Sequence, residues 1–218
     1  MWIIKIAITL FLCHSFLGVG FAQQEGDCRD QGSRVGNGEG HDEILPDCVS
    51  LFKSKAATGA YKKNVLGNTE VYAYKNIIFF EDQSGISIIT GKSSGLKDVE
   101  SFVIDELNKE IVVLEKSGAV LTFSTLHKGN IGPKRILMAK QLPGATEVGI
   151  DHENNQLVVY NKQMQKAFVF SRLANVRGKK LHKKLDLIKT VDGVGSMKNS
   201  KTTGKLSLHR PSGELIQN

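Results

Sequence analysis

Apolar residues in this chain arrive in short bursts, with no stretch spaced at three and four as a long helix requires. VIDELNKEIVVL (103–114) reads as strand, turn, strand, and AVLTF (119–123) follows the next turn, KSG. Forty-six residues after Asp105 the line recurs around Asp151. FVIDELNKEIVVLEK (102–116) lies over VGIDHENNQLVVYNK (148–162) without a gap, and after one inserted residue LTFS (121–124) answers FVFS (168–171). The runs VVL and VVY predict buried strands. Asp105, Asn108, Asp151 and Asn154 predict turn caps, because Asp and Asn bond the backbone locally and tolerate left-handed angles. Short strands at this spacing predict an all-β fold, and a period in the forties with several strands per unit predicts a propeller blade.

Weaker echoes flank the two clear units. KLSLHRPSGELI (205–216) follows EIVVLEKSGAVL (110–121) through Ser212 and Gly213, and VYAYKNIIFFEDQSGISIIT (71–90) carries a related FF–turn–SG–strand pattern. The expected organisation is four β-propeller-like units: 57–101 degenerate, 102–147 and 148–193 clear, 194–218 incomplete. GIDHENNQLVVYN resembles the G-I-x-x-D-x-x-N-x-x-L-x-V-x-N line of bacterial NHL-like β-propeller repeats. GNIGPKRIL (129–137) resembles the segment joining successive blades in that group. The resemblance spans 102–172. It implies a binding platform; some relatives are metal-dependent hydrolases of lactonase type. Four units are fewer than the usual ring contains, which leaves open three closures: a strand from residues near 48–60, a second copy completing the ring, or a persistent stack of sheets.

The beginning of the sequence reads differently. Lys5, the apolar run IAITLFLCHSFLGVGF and Ala22 have the layout of a secretory signal, with cleavage expected after Ala22. A secreted or periplasmic location follows, with no membrane span left after cleavage. Residues 23–56 then form an N-terminal segment in which Cys28 and Cys48 are expected to close a disulfide in an oxidising compartment. That loop of about twenty residues would restrict the unfolded chain by roughly 3 kcal/mol. Residues 23–55 carry seven acids and four bases, so the net charge of +7 rests on the rest of the chain. A basic body favours anionic partners.

Candidate chemistry is sparse. TGKSSG (90–95) contains G-x-S-x-G and a GKS tail, but each motif needs a following helix, and the repeat predicts a loop and a strand instead. His41, His127, His152, His182 and His209 form no paired metal-ligand spacing, and no cofactor is expected. Asp105 and Asp151 recur because the unit recurs, which needs no acid catalysis. RLANVRGKKLHKKLDLIK (172–189) stands out, with Arg172, Arg177, Lys179, Lys180, Lys183, Lys184 and Lys189 against a single acid, Asp186. It predicts an anion-attracting interblade connection. Without an aromatic residue to stack bases, a protein or an anionic envelope component is the expected partner, and nucleic acid is not. The function expected is a non-enzymatic exported binding protein. The alternatives are a metal-dependent propeller hydrolase and a structural or decayed repeat protein without ligand.

Overall fold

The computed structural model describes residues 62–83, 85–174, 187–199 and 205–216. Among them there is no helix, only antiparallel strands in four sheets. The first sheet holds β1 (Lys62–Leu66), β2 (Thr69–Tyr74), β3 (Ile77–Asp82) and β4 (Gly85–Ile89). The second holds β5 (Val99–Asp105), β6 (Glu110–Glu115), β7 (Val120–Ser124) and β8 (Arg135–Leu137). The third holds β9 (Glu147–Asp151), β10 (Gln156–Asn161), β11 (Lys166–Ser171) and β12 (Leu187–Asp192). The fourth holds β13 (Ser196–Asn199), β14 (Leu206–His209) and β15 (Leu215–Ile216). Each sheet is a meander in which consecutive strands pair.

The sheets pack face to face in chain order, as propeller blades do. β5 packs on β1 and β9, and β9 packs on β13, so the first strand of each sheet meets the first strand of the next. This stacking explains why VVL and VVY are continuous apolar runs. On β6, Ile111 and Val113 face the first sheet, beside Ile78, Phe80 and Phe123. Val112 and Leu114 face the third, beside Ile150, Val159 and Phe170. All six residues of β6 are buried. A strand covered on both faces has no use for a polar face, so the alternation of a half-exposed strand disappears. Each large side chain buried this way contributes about 1.5–3 kcal/mol. On β14 one face is outward and alternation returns: Leu206 and Leu208 are buried against Val158, Tyr160 and Val169, while Ser207 and His209 are half exposed.

The fold class read from the sequence holds: an all-β, propeller-like stack of four sheets, the fourth with three strands. Two details differ. FFEDQSGISII supplies β3 and β4, whereas the similar words in the clear units supply their second and third strands. The echo is one strand out of register, so it stands closer to the next unit than the 46-residue period. Second, GNIGPKRIL does not join blades. It ends in β8, which pairs with β7 through Val120↔Leu137, Leu121↔Ile136 and Thr122↔Arg135. The basic stretch 172–189 likewise runs between β11 and β12 of one sheet. Both connect a third strand to the outermost strand of its own sheet. The reach to a neighbouring sheet is made by the Gly129–Asn130 pair. Gly129 donates its N–H to Ile88 O (2.5 Å) and accepts from Thr90 N (3.2 Å), and the Asn130 side chain accepts from Ser93 N (2.7 Å).

Candidate functional site

The turns that repeat in sequence repeat in geometry. Asp105 accepts hydrogen bonds from Asn108 N (3.0 Å) and Asn108 Nδ2 (2.8 Å). Asp151 accepts from Asn154 N (3.2 Å) and Asn154 Nδ2 (2.8 Å). The left-handed residues are the ones that follow, Lys109 (φ 53°) and Asn155 (φ 52°), not the Asp or the first Asn. The capping carboxylate closes the loop and the next residue takes the unusual angle.

Asp105 does more than cap. It is fully buried and belongs to a charge cluster at the seam of the second and third sheets. At the centre is Glu110, the first residue of β6 and 3 % exposed. Its Oε1 accepts from Arg135 Nη1 (3.0 Å) and Lys134 Nζ (3.0 Å). Its Oε2 accepts from Arg172 Nη1 (2.9 Å) and from Arg135 Nη2. Arg172 also reaches Asp105 Oδ2 (3.5 Å) and donates from Nε to Asn155 Oδ1 (2.7 Å). His152 Nδ1 lies 3.8 Å from Asp105 Oδ1. Burial alone would push the Glu110 carboxyl up; the hydrogen bonds and charges of Arg135 and Lys134 outweigh it and hold the group below the usual carboxylate range. Arg172 comes from the third sheet, Glu110 and Arg135 from the second, so the cluster ties two sheets together.

This placement corrects one residue of the expected anion-binding stretch. Arg172 is turned inward onto two carboxylates and an amide, with 12 % of its side chain exposed. A guanidinium so engaged is a strut between sheets, not a free surface cation. Lys189 lies on the exposed part of β12. Arg177, Lys179, Lys180, Lys183 and Lys184 lie outside the described residues, as do Cys28 and Cys48. The ends of the basic stretch are nevertheless fixed: Ala174 is buried and donates its N–H to Ser171 O (3.0 Å), and Leu187 pairs with Phe170.

Other sequence candidates resolve locally. TGKSSG forms a turn: Ser94 is buried and donates Oγ–H to Gly91 O (2.7 Å), while Ser93 is exposed with its N–H on Asn130. Among the described residues no group of three or more His, Cys, Asp or Glu side chains is placed to hold a metal ion. One amine was not flagged by the sequence. Lys128 Nζ sits 3.2 Å from the centre of the Phe80 ring and donates to Thr125 O (2.6 Å). Burial pushes it down to about 8, against the opposing charge of Asp82.

The fold and the seam together define a class: a β-propeller-like stack whose second and third blades are locked by a buried charge cluster. No protein-family model matches the chain, and no curated protein sequence matches it. Among solved structures, apo AztD from Citrobacter koseri is similar, with a TM-score of 0.41 and 11% identity. The likeness covers 57% of this chain and 31% of AztD, so the chain spans less than a third of that protein's length.

Proposed function

We propose that this chain is an exported, propeller-like binding protein that meets an anionic partner through its lysine-rich connection between β11 and β12. The partner is an acidic protein or an anionic component of the cell envelope. The observation that carries the reading is the charge of the connection: Lys179, Lys180, Lys183 and Lys184 fall within six residues, and Asp186 is the nearest acid in sequence. The anchored ends support it. Arg172 is fixed in the seam and Leu187 pairs with Phe170 on the third sheet, so both flanks of the connection belong to the same blade. The export reading rests on the apolar run before Ala22.

The test replaces Lys179, Lys180, Lys183 and Lys184 with Gln and measures binding to polyglutamate and to vesicles containing anionic lipid over a range of salt. A basic residue near an anionic membrane contributes about 1 kcal/mol. The four changes should therefore weaken vesicle binding by up to roughly a thousandfold and flatten its salt dependence. The ratio between the two probes separates a protein-like partner from a lipid surface. Unchanged affinity and slope for both would refute the proposal.

A further inference from the structure

The outward face of the fourth sheet carries chemistry that the binding reading does not use. β14 alternates, so Ser207 and His209 stand side by side on its outer face. Ser207 Oγ lies 3.0 Å from His209 Nε2. On the other side of the ring, His209 Nδ1 lies 3.2 Å from Gly213 O. A backbone carbonyl only accepts, so it holds the proton on Nδ1 and leaves Nε2 with a lone pair directed at the serine hydroxyl. The weaker alternative acceptor for that hydroxyl, Lys198 O, is at 3.5 Å.

The carbonyl that orients the histidine is itself held. Gly213 (φ 90°) closes the turn after β14 by donating its N–H to Arg210 O (2.9 Å), and Arg210 N donates to Glu214 O (2.8 Å). The backbone of Gly195 packs under the same turn so closely that a Cβ there would lie 2.5 Å from Pro211 N. Gly195 in turn donates its N–H to His209 O (2.7 Å) and accepts from the buried Tyr160 hydroxyl (2.9 Å). The third sheet thus fixes the turn, the turn fixes the imidazole, and the imidazole addresses the serine.

We propose that Ser207 and His209 form a nucleophile–base pair that accepts acyl groups from carboxylic esters carrying negative charge. Ser207 Oγ attacks the ester carbonyl carbon while its proton passes to His209 Nε2. The C–O bond to the leaving alcohol breaks, and the imidazolium returns the proton to that oxygen. Water, deprotonated by the same Nε2, then attacks the acyl-serine, releasing the carboxylic acid and restoring the hydroxyl. Lys198 stands directly opposite Ser207 on β13, on the same face, where its charge favours the developing oxyanion and an anionic substrate. The other charged groups around the histidine are Arg210 and Glu214, which pair with each other at 3.4 Å; Ser196 and Leu215 are its cross-strand neighbours. Among the described residues no further sheet lies beyond this face, so the site suits an ester displayed on a larger molecule.

The experiment labels the full mature chain with a fluorophosphonate probe and maps the adduct by mass spectrometry. In this reaction the serine oxygen displaces fluoride and the proton again passes to Nε2; lysine amines do not form the adduct. The expected adduct is on Ser207, absent in Ser207→Ala and formed at least about a hundredfold more slowly in His209→Gln. Hydrolysis of 4-nitrophenyl acetate should fall in parallel, and thermal melting should be unchanged in both variants. No adduct, an adduct on another residue, or equal rates in parent and His209→Gln would overturn the proposal. Should Ser207→Ala not fold, the adduct map of the parent chain and the rate in His209→Gln still decide.

Discussion

Replacing Glu110 with Gln removes one negative charge and leaves the shape of the seam almost intact. Three cations lose their counter-charge and share one acceptor oxygen in place of two, but not equally. Lys134 is about half exposed and can return to water. Arg172 keeps Asp105 and Asn155. Arg135 suffers most: 13 % of its side chain is exposed, and its Nε already lacks an acceptor. Removing one partner of a buried pair costs roughly 3–5 kcal/mol. Rehydration of Lys134 and the remaining bonds of Arg172 put the expected cost at the lower end, about 3 kcal/mol. For a chain of this size that is a fall of roughly 6–12 °C in melting temperature. Circular dichroism melts of the single variant, with a double-mutant cycle through the cross-sheet partner Arg172→Met, measure it. The cycle should return a coupling above about 1 kcal/mol, since the two side chains touch. A loss under about 1 kcal/mol with no coupling would mean that the seam is held by its apolar contacts alone, and the strut that Arg172 forms on Glu110 would fall with it.

Gly118 has φ 87°, and a Cβ there would meet the backbone of Pro143 at 2.5 Å and of Leu142 at 2.6 Å. Gly118→Ala should therefore cost clearly more than the ~1–3 kcal/mol of left-handed strain alone, whereas Gly95→Ala (φ 69°, nothing within 4 Å) should cost only the strain; paired urea melts compare them. The pH profile of stability should carry two opposed contributions. Glu110, held below its ordinary range, contributes stability above the unfolded carboxylate value near ~4.3 and loses it as pH falls through its lower folded value. Glu147, pushed up by burial against the charges of Lys162 and Lys62, contributes stability at low pH and loses it as pH rises through its folded value. Melting followed from acid to neutral pH should show Glu110→Gln flattening the acid limb and Glu147→Gln flattening the limb above it; the opposite assignment would refute the sign of either environment.

The sequence carried the architecture where local pattern and packing agree. VVL and VVY are legible because both faces are buried and both strands follow the same Asp–Asn turn. The first sheet was harder. β1 and β2 are joined through Gly67 and Asn68 alone, and β2 carries Glu70 and Tyr72 among its apolar residues, so the eye settles on FF and shifts the unit by one strand. The outermost strands were hidden for another reason. RIL has three residues, and LIKTVD interleaves apolar and polar residues at an exposed edge. Neither differs in composition from a connection. The Glu110–Arg172 contact had no sequence signal at all, since its partners are 62 positions apart and meet only because two sheets stack. Ser207 and His209 were legible in principle: spacing by two on an alternating strand puts both side chains on one face.

The fourth sheet also bears on how a second copy could meet the stack. Its inner face is satisfied by the third sheet through Leu206, Leu208 and Val194. Its outer face offers Lys198, Ser207 and His209, and Leu215 is its one large exposed apolar side chain among the described residues. A ring continued by a second copy would press a further sheet onto this surface. That would strip water from the Lys198 ammonium and from the Ser207–His209 pair, at a cost of several kcal/mol for an ion without a counter-charge. In a repeat stack each sheet packs only on the sheets beside it, so what meets this face is decided by this face alone. The same polarity that opposes a further sheet on this face is what the proposed acyl transfer to Ser207 requires.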